Sequence, residues 1–166
     1  LLTSSAASDV YKRQVEQVGS DVHYVKPGDH VITCLSVFCG HCEQCVTGHL
    51  SLCCEDEVNR GPEEEPRLSQ DGQSLEQFAR LGSFAEMMLV HEHAVVKIRE
   101  DMPSAQAALI GCGVTTGIGA VIHTAKVEPG ATVAVIGCGG IGLSTINGAA
   151  IAGASRTVSY THLTLP

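Results

Sequence analysis

The stretch ATVAVIGCGGIG, residues 131–142, decides the fold. Its first half, Ala131 to Ile136, is an unbroken apolar run, which is typical of a strand buried on both faces of a parallel sheet. A glycine-rich loop follows, and then a helix is predicted over roughly Ile141 to Ala152. A strand, a glycine loop and a helix in this order predict a dinucleotide-binding α/β unit.

Each glycine of this loop has its own expected role. Gly137 permits the tight turn, Gly139 lets a pyrophosphate approach the backbone, and Gly142 lets the helix pack closely on the strand. The helix N-terminus offers N–H groups and a partial positive charge to the phosphates. A glycine pattern alone is often only a turn, so the flanking strand and helix are what favour the dinucleotide site. The acidic residue that holds the adenosine ribose is expected about twenty positions later, and residues 158–166 contain none, so NAD and NADP both stay open.

A second pattern supplies four thiols in a short segment, Cys39-x2-Cys42-x2-Cys45-x7-Cys53. The two-residue gaps let neighbouring sulfurs converge on one tetrahedral centre, and zinc takes four thiolates at about 2.3 Å in closed structural sites. Such a site leaves no coordination position for a substrate, and its net negative charge requires nearby N–H donors. The residues alone leave two alternatives open. Cys54 can replace Cys53, or the first three cysteines belong to an iron–sulfur cluster.

The overall composition narrows the possible functions. The chain has 10 Lys plus Arg against 18 Asp plus Glu, a net charge of −8, which argues against a nucleic-acid partner because phosphate binding needs a basic face. No apolar run reaches the length that spans a bilayer, and residues 1–14 lack the order of a signal peptide, so we expect a cytoplasmic protein that does not enter a membrane. Eight cysteines in that compartment favour metal binding over disulfides.

Short β-prone runs separated by turn signals predict a small β domain in the first part of the chain. These runs are Val15 to Val18, Val22 to Val25, Val31 to Leu35, Phe84 to Val90 and Ala94 to Ile98. The polar stretch Glu55 to Arg80 predicts a surface loop with a helical turn around Leu75 to Leu81. A helical pattern begins at Ser104 as N-cap and continues to Ala125. A second strand of the α/β unit is expected at Arg156 to Tyr160.

With both motifs present, the chain resembles the zinc-containing medium-chain alcohol dehydrogenases from about Val15 to Thr157. The segments that carry the resemblance are VKPGDHV at 25–31, CGHCEQC at 39–45, FAE at 84–86, GCGVTTG at 111–117 and VIGCGGIG at 135–142. The resemblance implies a fold of class β plus α/β. A partial GroES-like β domain is expected over residues 15–113, with the zinc lobe at 39–53, and the start of a Rossmann domain over residues 114–157.

The same resemblance implies roles for individual residues. It assigns structural zinc to Cys39, Cys42, Cys45 and Cys53, one catalytic zinc ligand to Cys112, and cofactor contacts to Thr116, Gly137, Gly139, Gly140, Ile141 and Gly142. From the residues alone, Cys112 is more simply a small buried residue in a glycine-rich turn. In the family, the catalytic zinc also takes a cysteine and the histidine of a Gly-His-Glu segment, placed shortly before the match to Val15. Residues 1–14 hold no Cys and no His.

Both ends of the chain depart abruptly from the family pattern. Residues 1–14 and 158–166 are predicted to be foreign tails, which makes the chain an internal fragment that is inactive alone. The parent enzyme is expected to pass a hydride between an alcohol or aldehyde and NAD or NADP, and to form a homo-oligomer. The alternative hypotheses are an iron–sulfur electron carrier and a non-catalytic zinc-binding module.

Overall fold

The computed structural model describes residues 2–3, 12–58, 63–77, 80–83 and 85–161. The chain divides into two compact units, Leu1–Ala108 and Leu109–Pro166. Most of the predicted foreign tail at 158–166 lies outside the described residues, which end at 161. The domain bounds implied by the resemblance stay a prediction.

The first unit is built on antiparallel strands. Its elements are β1 (Leu2–Thr3), β2 (Lys12–Val15), β3 (His30–Thr33), α1 (Glu43–Val46), β4 (Leu68–Gln70), β5 (Gln73–Leu75), β6 (Met87–Met88) and β7 (Val95–Lys97). Two short 3-10 helices, Leu50–Leu52 and Glu92–Ala94, complete the set. Five strands form one sheet in the order β6-β1-β2-β3-β7, and β4 pairs with β5. Among the described strands the sheet stays open, with β6 and β7 at its edges.

Strand β3 supplies the centre of the core because its β-branched side chains suit a pleated, buried surface. Val31 and Thr33 are fully buried, and Thr33 lies opposite Val95 on β7. The predicted strand at Val22 to Val25 is wrong, since these residues belong to no strand and contain a bend at Tyr24. Val25 is nevertheless buried in the core. Its apolar side chain therefore indicates burial correctly, although the residue belongs to no strand.

Strands β1 and β2 lie largely within the predicted foreign tail. Gln14 on β2 pairs with His30 on β3, and Leu2 on β1 pairs with Val15. The hydrogen bonds between strands join backbone groups and depend little on which side chains the residues carry. A foreign sequence can therefore pair with the sheet as well as a native one. The foreign origin of residues 1–14 therefore stays a prediction.

The polar stretch Glu55 to Arg80, called the insertion from here on, contains a hairpin where the sequence predicted a loop. Strands β4 and β5 pair with Leu68 opposite Leu75 and Gln70 opposite Gln73. Asp71 and Gly72 make the two-residue turn with positive φ values of 51° and 78°, as the tightest hairpin turns require. The predicted helical turn is wrong at Leu75, which ends β5, and its residues 78–79 lie outside the described part of the chain.

The second unit contains a strand, a helix and a parallel strand. These are β8 (Thr132–Ile136), α4 (Gly140–Ile151) and β9 (Arg156–Tyr160), with Thr132 opposite Arg156 and Ile136 opposite Tyr160. Parallel neighbours need a crossover connection, and α4 provides it. The predicted strand–loop–helix–strand order is confirmed.

A long helical segment has Ser104 as its first residue, so Ser104 lies inside the helix and is not the N-cap that the sequence predicted. The segment contains α2 (Ser104–Leu109) and α3 (Thr115–Gly119), each continued by wider π-type turns at Ile110–Val114 and Ala120–Thr124. In the second unit, α3 packs on α4 at Gly117. A Cβ atom at this position would lie 2.5 Å from the Cβ of Ser144 and 2.7 Å from the carbonyl oxygen of Ile141. The glycine therefore permits the two helices to cross closely.

Strand β8 is more exposed than its sequence predicts. Val135 is buried, whereas Ile136 is 81% exposed. Burial on both faces requires a wider sheet with helices on each side, and β9 is the neighbour of β8 among the described strands. The prediction of burial on both faces is therefore wrong for this chain.

One described helical segment, the 21 residues Ser104–Thr124, is long and apolar enough to cross a membrane, and few of its residues are buried. This differs from the expectation that the chain has no such segment. An apolar helix of a soluble domain passes the same test of length and composition. Val121 in this segment is buried and lies where a Cβ on Gly148 of α4 would touch it.

Candidate metal and dinucleotide sites

The four cysteines of the predicted zinc lobe come together in the first unit. All four sulfurs of Cys39, Cys42, Cys45 and Cys53 lie within 4.8 Å of one another. The sulfurs of Cys39 and Cys45 are 3.8 Å apart, and those of Cys42 and Cys53 are 4.0 Å apart. Sulfurs at 2.3 Å from a tetrahedral zinc are separated by about 3.8 Å. The cluster therefore has the dimensions of a single four-thiolate metal centre.

Short turns and helices position each of the four sulfurs at this centre. Cys39 is buried and precedes Gly40, whose φ of 91° turns the chain. Cys42 is the N-cap of α1 and Cys45 is the buried residue of that helix. Cys53 ends the 3-10 helix Leu50–Leu52. Because Cys39 and Cys45 also belong to the hydrophobic core of the first unit, the lobe is packed against the sheet.

Backbone N–H groups point at the sulfurs, as the charge of the site requires. The N–H of Cys39 lies 3.3 Å from the sulfur of Cys53. The sulfur of Cys39 accepts from the N–H of Cys42 at 3.3 Å and from the N–H of His41 at 3.5 Å. These donors stabilise thiolates relative to thiols.

Two thiols of the cluster, those of Cys42 and Cys53, differ in acidity. The backbone N–H of Glu55, together with that of Cys39, lowers the pKa of Cys53 to about 7. The backbone N–H of Cys45 favours the thiolate of Cys42, but burial and the neighbouring thiols outweigh it and raise the pKa of Cys42 to about 12. Of these two thiols, that of Cys53 is therefore the more readily ionised.

The structure bears on one of the two alternatives that the spacing left open, the choice between Cys53 and Cys54. Cys54 is exposed and lies outside the group of four, whereas Cys53 is inside it. None of the eight cysteines, all of which lie within the described residues, forms a disulfide. His41 lies at the exposed rim of the cluster, with its Nε2 2.6 Å from Oε1 of Glu57, and that carboxylate raises the pKa of His41. Cys39, His41 and Glu57 form a second, more exposed set of possible ligands that shares one sulfur with the first.

The glycine loop joins β8 to α4 in the second unit. Gly137 follows β8 with a φ of 98°, which side-chain-bearing residues rarely adopt. A Cβ on Gly142 would collide with the carbonyl group of Gly137, whereas a Cβ on Gly139 would meet nothing within 4 Å. The expected turn at Gly137 and close approach at Gly142 are thus present, and Gly139 leaves open space beside the backbone.

The helix N-terminus at this loop is geometrically suited to an anion. Gly139 is the N-cap of α4, Gly140 is its first residue, and the N–H of Leu143 makes an intrahelical bond to the carbonyl of Gly139. The N–H groups before Leu143 have no partner within the helix. Ile141 is 51% exposed beside them. The predicted residues Gly137, Gly139, Gly140, Ile141 and Gly142 therefore form one loop and helix start.

Cys112 and Thr116 lie on the helical segment that precedes β8. Cys112 is exposed within the π-type turns Ile110–Val114, and among the described residues it belongs to neither group of possible metal ligands. Thr116 is exposed and adjoins Gly117, which lies against the carbonyl of Ile141. The structure thus places Thr116 near the start of α4 and brings no second metal ligand to Cys112 in the described part of the chain.

An open cavity of about 1000 Å³ lies in the first unit beside the hairpin. Residues of the insertion, among them Arg67, share its walls with segments that adjoin the sheet strands, among them Leu89 and His91. The guanidinium of Arg67 donates to the carbonyl of Leu89 at 3.4 Å. The insertion is therefore hydrogen-bonded to the segment that follows β6 and forms one wall of the cavity.

Sequence reasoning missed one contact of the cysteine lobe. The sequence pattern assigns no role to His93. Its ring stacks on Phe38, and its Nδ1 donates to the carbonyl of Phe38 at 2.7 Å. The two residues are 55 positions apart, so no local pattern indicates that they meet.

Comparisons with known proteins agree with this geometry. The profile of the alcohol dehydrogenase GroES-like domain matches residues 14–100. The S-(hydroxymethyl)glutathione dehydrogenase of Saccharomyces cerevisiae is 43% identical over 150 residues, covering 87% of this chain and 39% of that protein. An enzyme of the same name from Escherichia coli is 43% identical over 149 residues, covering 87% of this chain and 40% of its own length. The chain thus spans about two-fifths of these relatives.

Solved structures show the same likeness. An alcohol dehydrogenase zinc-binding domain protein from Burkholderia ambifaria has a TM-score of 0.76 and 32% identity, covering 89% of this chain and 41% of that one. Benzyl alcohol dehydrogenase from Acinetobacter calcoaceticus has a TM-score of 0.72 and 30% identity, with the same two coverages of 89% and 41%. The matched residues 14–100 include strands β3, β6 and β7 of the sheet and the whole cysteine cluster. This chain belongs to the alcohol dehydrogenase GroES-like domain family.

Proposed function

We propose that this chain is part of a zinc-dependent alcohol dehydrogenase, in which the cysteine lobe holds a structural zinc and the glycine loop begins the NAD or NADP site. The observation that carries the proposal is the set of four sulfurs within 4.8 Å of one another. The nicotinamide cofactor of such an enzyme accepts a hydride from an alcohol or returns it to an aldehyde.

In the lobe, Cys39, Cys42, Cys45 and Cys53 would hold zinc as four thiolates. Four sulfur ligands complete a tetrahedral site and leave no position for substrate, so the role of this metal is structural. The lobe has only a four-residue helix and a three-residue 3-10 helix of its own. A metal that joins the chain at residues 39 and 53 therefore fixes a segment with little regular structure.

In the second unit, Gly137, Gly139, Gly140 and Gly142 would receive the pyrophosphate of the cofactor. The open side of Gly139 lets the phosphate approach, and the N-terminus of α4 offers N–H donors and the positive end of its dipole. Thr116 and Ile141 are proposed to contact the nicotinamide end. The loop carries no basic residue, so the helix N-terminus supplies the favourable electrostatic field.

Cys112 is proposed as one ligand of the catalytic zinc of the longer protein. A single thiolate does not hold this metal, so the chain itself is expected to be inactive. A catalytic zinc held there in the complete enzyme would polarise the substrate oxygen. The name of the relatives makes S-(hydroxymethyl)glutathione, an alcohol, the first substrate to test. The longer protein is proposed to be a cytoplasmic homo-oligomer that neither enters membranes nor binds nucleic acid.

The decisive experiment is metal analysis of the purified chain. We expect one zinc per chain and no absorption in the visible range. Two zinc ions per chain would contradict the account of Cys112. Stoichiometric iron with visible absorption would refute the zinc site and indicate an iron–sulfur or iron-thiolate electron carrier.

A titration with NADH and NADPH separates the dehydrogenase from a non-catalytic zinc module. A change in nucleotide fluorescence that saturates is expected for the dehydrogenase, and the ratio of the two affinities decides between NAD and NADP. A chain that binds zinc and neither nucleotide would support the non-catalytic module.

A further inference from the structure

His93 lies outside the lobe and contacts its first turn, at Phe38 and Gly40. The residue lies in the 3-10 helix Glu92–Ala94, directly before β7. Its ring stacks on that of Phe38 with centroids 4.7 Å apart and an interplanar angle of 11°. A Cβ on Gly40 would lie 3.9 Å from Cε1 of His93. The imidazole therefore covers the chain on both sides of Cys39.

The position of His93 is itself fixed by the sheet. Its backbone N–H donates to Nδ1 of His91 at 3.1 Å. The carbonyl of the next residue, Ala94, accepts from the N–H of Cys34 at 2.8 Å, and Ala94 is buried. His93 is therefore held by the same backbone that pairs β7 with β3, and it connects this backbone to the lobe.

A single peptide unit links His93 to the sulfur of Cys53. The carbonyl of Phe38 accepts the Nδ1 proton of His93 at 2.7 Å. The N–H of the same peptide, which belongs to Cys39, points to the sulfur of Cys53 at 3.3 Å. Hydrogen bonds in a chain polarise one another, so donation to the carbonyl strengthens donation by the N–H. The bond from His93 also prevents the peptide from rotating away from the sulfur.

We propose that His93 is a positioning residue of the cysteine lobe, which orients the Phe38–Cys39 peptide toward the sulfur of Cys53 and slows loss of the bound metal. The inference rests on the proposed zinc site. The imidazole acts through the peptide and does not touch the metal. The carbonyl of Phe38 only accepts, so this hydrogen bond requires a proton on Nδ1 of His93.

The test measures zinc release from the zinc-loaded chain into an excess of a chromogenic chelator. His93→Phe keeps an aromatic ring against Phe38 and loses the donor, whereas His93→Asn keeps a donor near the position of Nδ1 and loses the ring. His93→Ala loses both, and His23→Ala removes an exposed histidine elsewhere as the matched control. We expect release to be about tenfold faster in the Ala and Phe variants, as for loss of a hydrogen bond to a buried group. In the Asn variant, the increase in the logarithm of the release rate should be at most half of the increase in the Ala variant.

A second measurement reports on the sulfur directly. In the cobalt(II)-loaded chain, the thiolate-to-metal charge-transfer band should move to lower energy in the Ala and Phe variants, because a sulfur that loses N–H donation holds its electrons less tightly. The Asn and His23→Ala variants should keep the band of the unmodified chain. A role in packing alone would leave the band in place for the Phe variant.

The outcomes separate this inference from the proposed function. If the unmodified chain binds no zinc, the zinc site itself is refuted, and His93 has no metal to retain. If it binds one zinc and the Ala and Phe variants match it in release rate and band position, only the role of His93 is refuted. Equal effects of the Phe and Asn variants would also refute it, because they would show that the donor has no distinct part.

Discussion

Lys97 holds the carboxylate of Asp29 beside the β-domain sheet, with 2.7 Å between Nζ and Oδ1. The second carboxylate oxygen accepts the N–H of Lys26 at 3.1 Å, and Asp29 is 9% exposed. The hydrogen bond from Lys97 keeps the pKa of Asp29 below its ordinary value. We expect Asp29→Asn to melt at a lower temperature than the unmodified chain at pH 7, because the amide keeps the side-chain size but leaves Lys97 unpaired. Thermal melts followed by circular dichroism measure the difference.

The pH dependence of this difference has a definite sign. The folded state binds the proton of Asp29 less readily than the unfolded state, so its stabilisation is present above the ordinary pKa of 3.8 and is lost as the pH falls through the lower folded value. The gap in melting temperature should be constant near neutrality and shrink below about pH 4. Asp101→Asn is the control, since its partner Arg99 is 81% exposed and exposed pairs contribute little. A gap that persists unchanged to pH 2 would show that the charge of Asp29 is not responsible.

The crossing of α3 and α4 predicts opposite effects for two neighbouring glycines. A Cβ on Gly117 would lie 2.5 Å from that of Ser144, whereas one on Gly119 would meet nothing within 4 Å. Gly117→Ala should lower the free energy of unfolding of the second unit by about 1–3 kcal/mol through overpacking. Gly119→Ala should raise it by about 0.5–1 kcal/mol, because alanine loses less backbone entropy in a helix. Urea denaturation followed by far-ultraviolet circular dichroism measures both, and a neutral Gly117→Ala would mean that the helices do not cross there.

Both candidate sites were predictable because the residues that form each of them are close together in the sequence. The two-residue gaps between Cys39, Cys42 and Cys45 bring their sulfurs together without help from distant elements. Cys53 was harder to separate from Cys54, and the resemblance made that choice before the geometry supported it. The glycine loop is equally local, since the φ of Gly137 and the contact between Gly142 and Gly137 arise within six residues.

The features that sequence did not predict depend on distant neighbours. The stack of His93 on Phe38 joins residues 55 positions apart, and no periodicity encodes such a pair. The apolar run of β8 indicates a central strand, but exposure depends on how many strands surround it, so Ile136 is exposed here. Val25 shows the reverse case, in which an apolar side chain is buried without strand pairing.

The glycine loop predicts that stability and nucleotide binding can be separated. Gly139→Ala adds a methyl group in open space, so it should leave the free energy of unfolding within about 0.5 kcal/mol of its original value. It should nevertheless weaken NADH binding, because the methyl group occupies the approach to the phosphates. Gly142→Ala should impair both properties, since its Cβ collides with the carbonyl of Gly137. Fluorescence titration with NADH and urea denaturation test the pair, and unchanged binding in both variants would refute the proposed pyrophosphate site.

The adjacent thiols Cys53 and Cys54 provide the sharpest test of the metal centre. Cys53 lies in the group of four sulfurs, and Cys54 is exposed outside it. Cys53→Ser should weaken zinc binding by at least about 100-fold, since even groups that only support a metal ligand contribute about 10–100-fold. Cys54→Ser should leave the affinity unchanged, and chelator competition at pH 7 measures both. Because the N–H of Glu55 lowers the pKa of Cys53 to about 7, alkylation of this thiol in the metal-free chain should reach half its maximal rate near that pH and stop when zinc is added. Loss of zinc in the Cys54 variant with retention in the Cys53 variant would transfer the fourth ligand to Cys54.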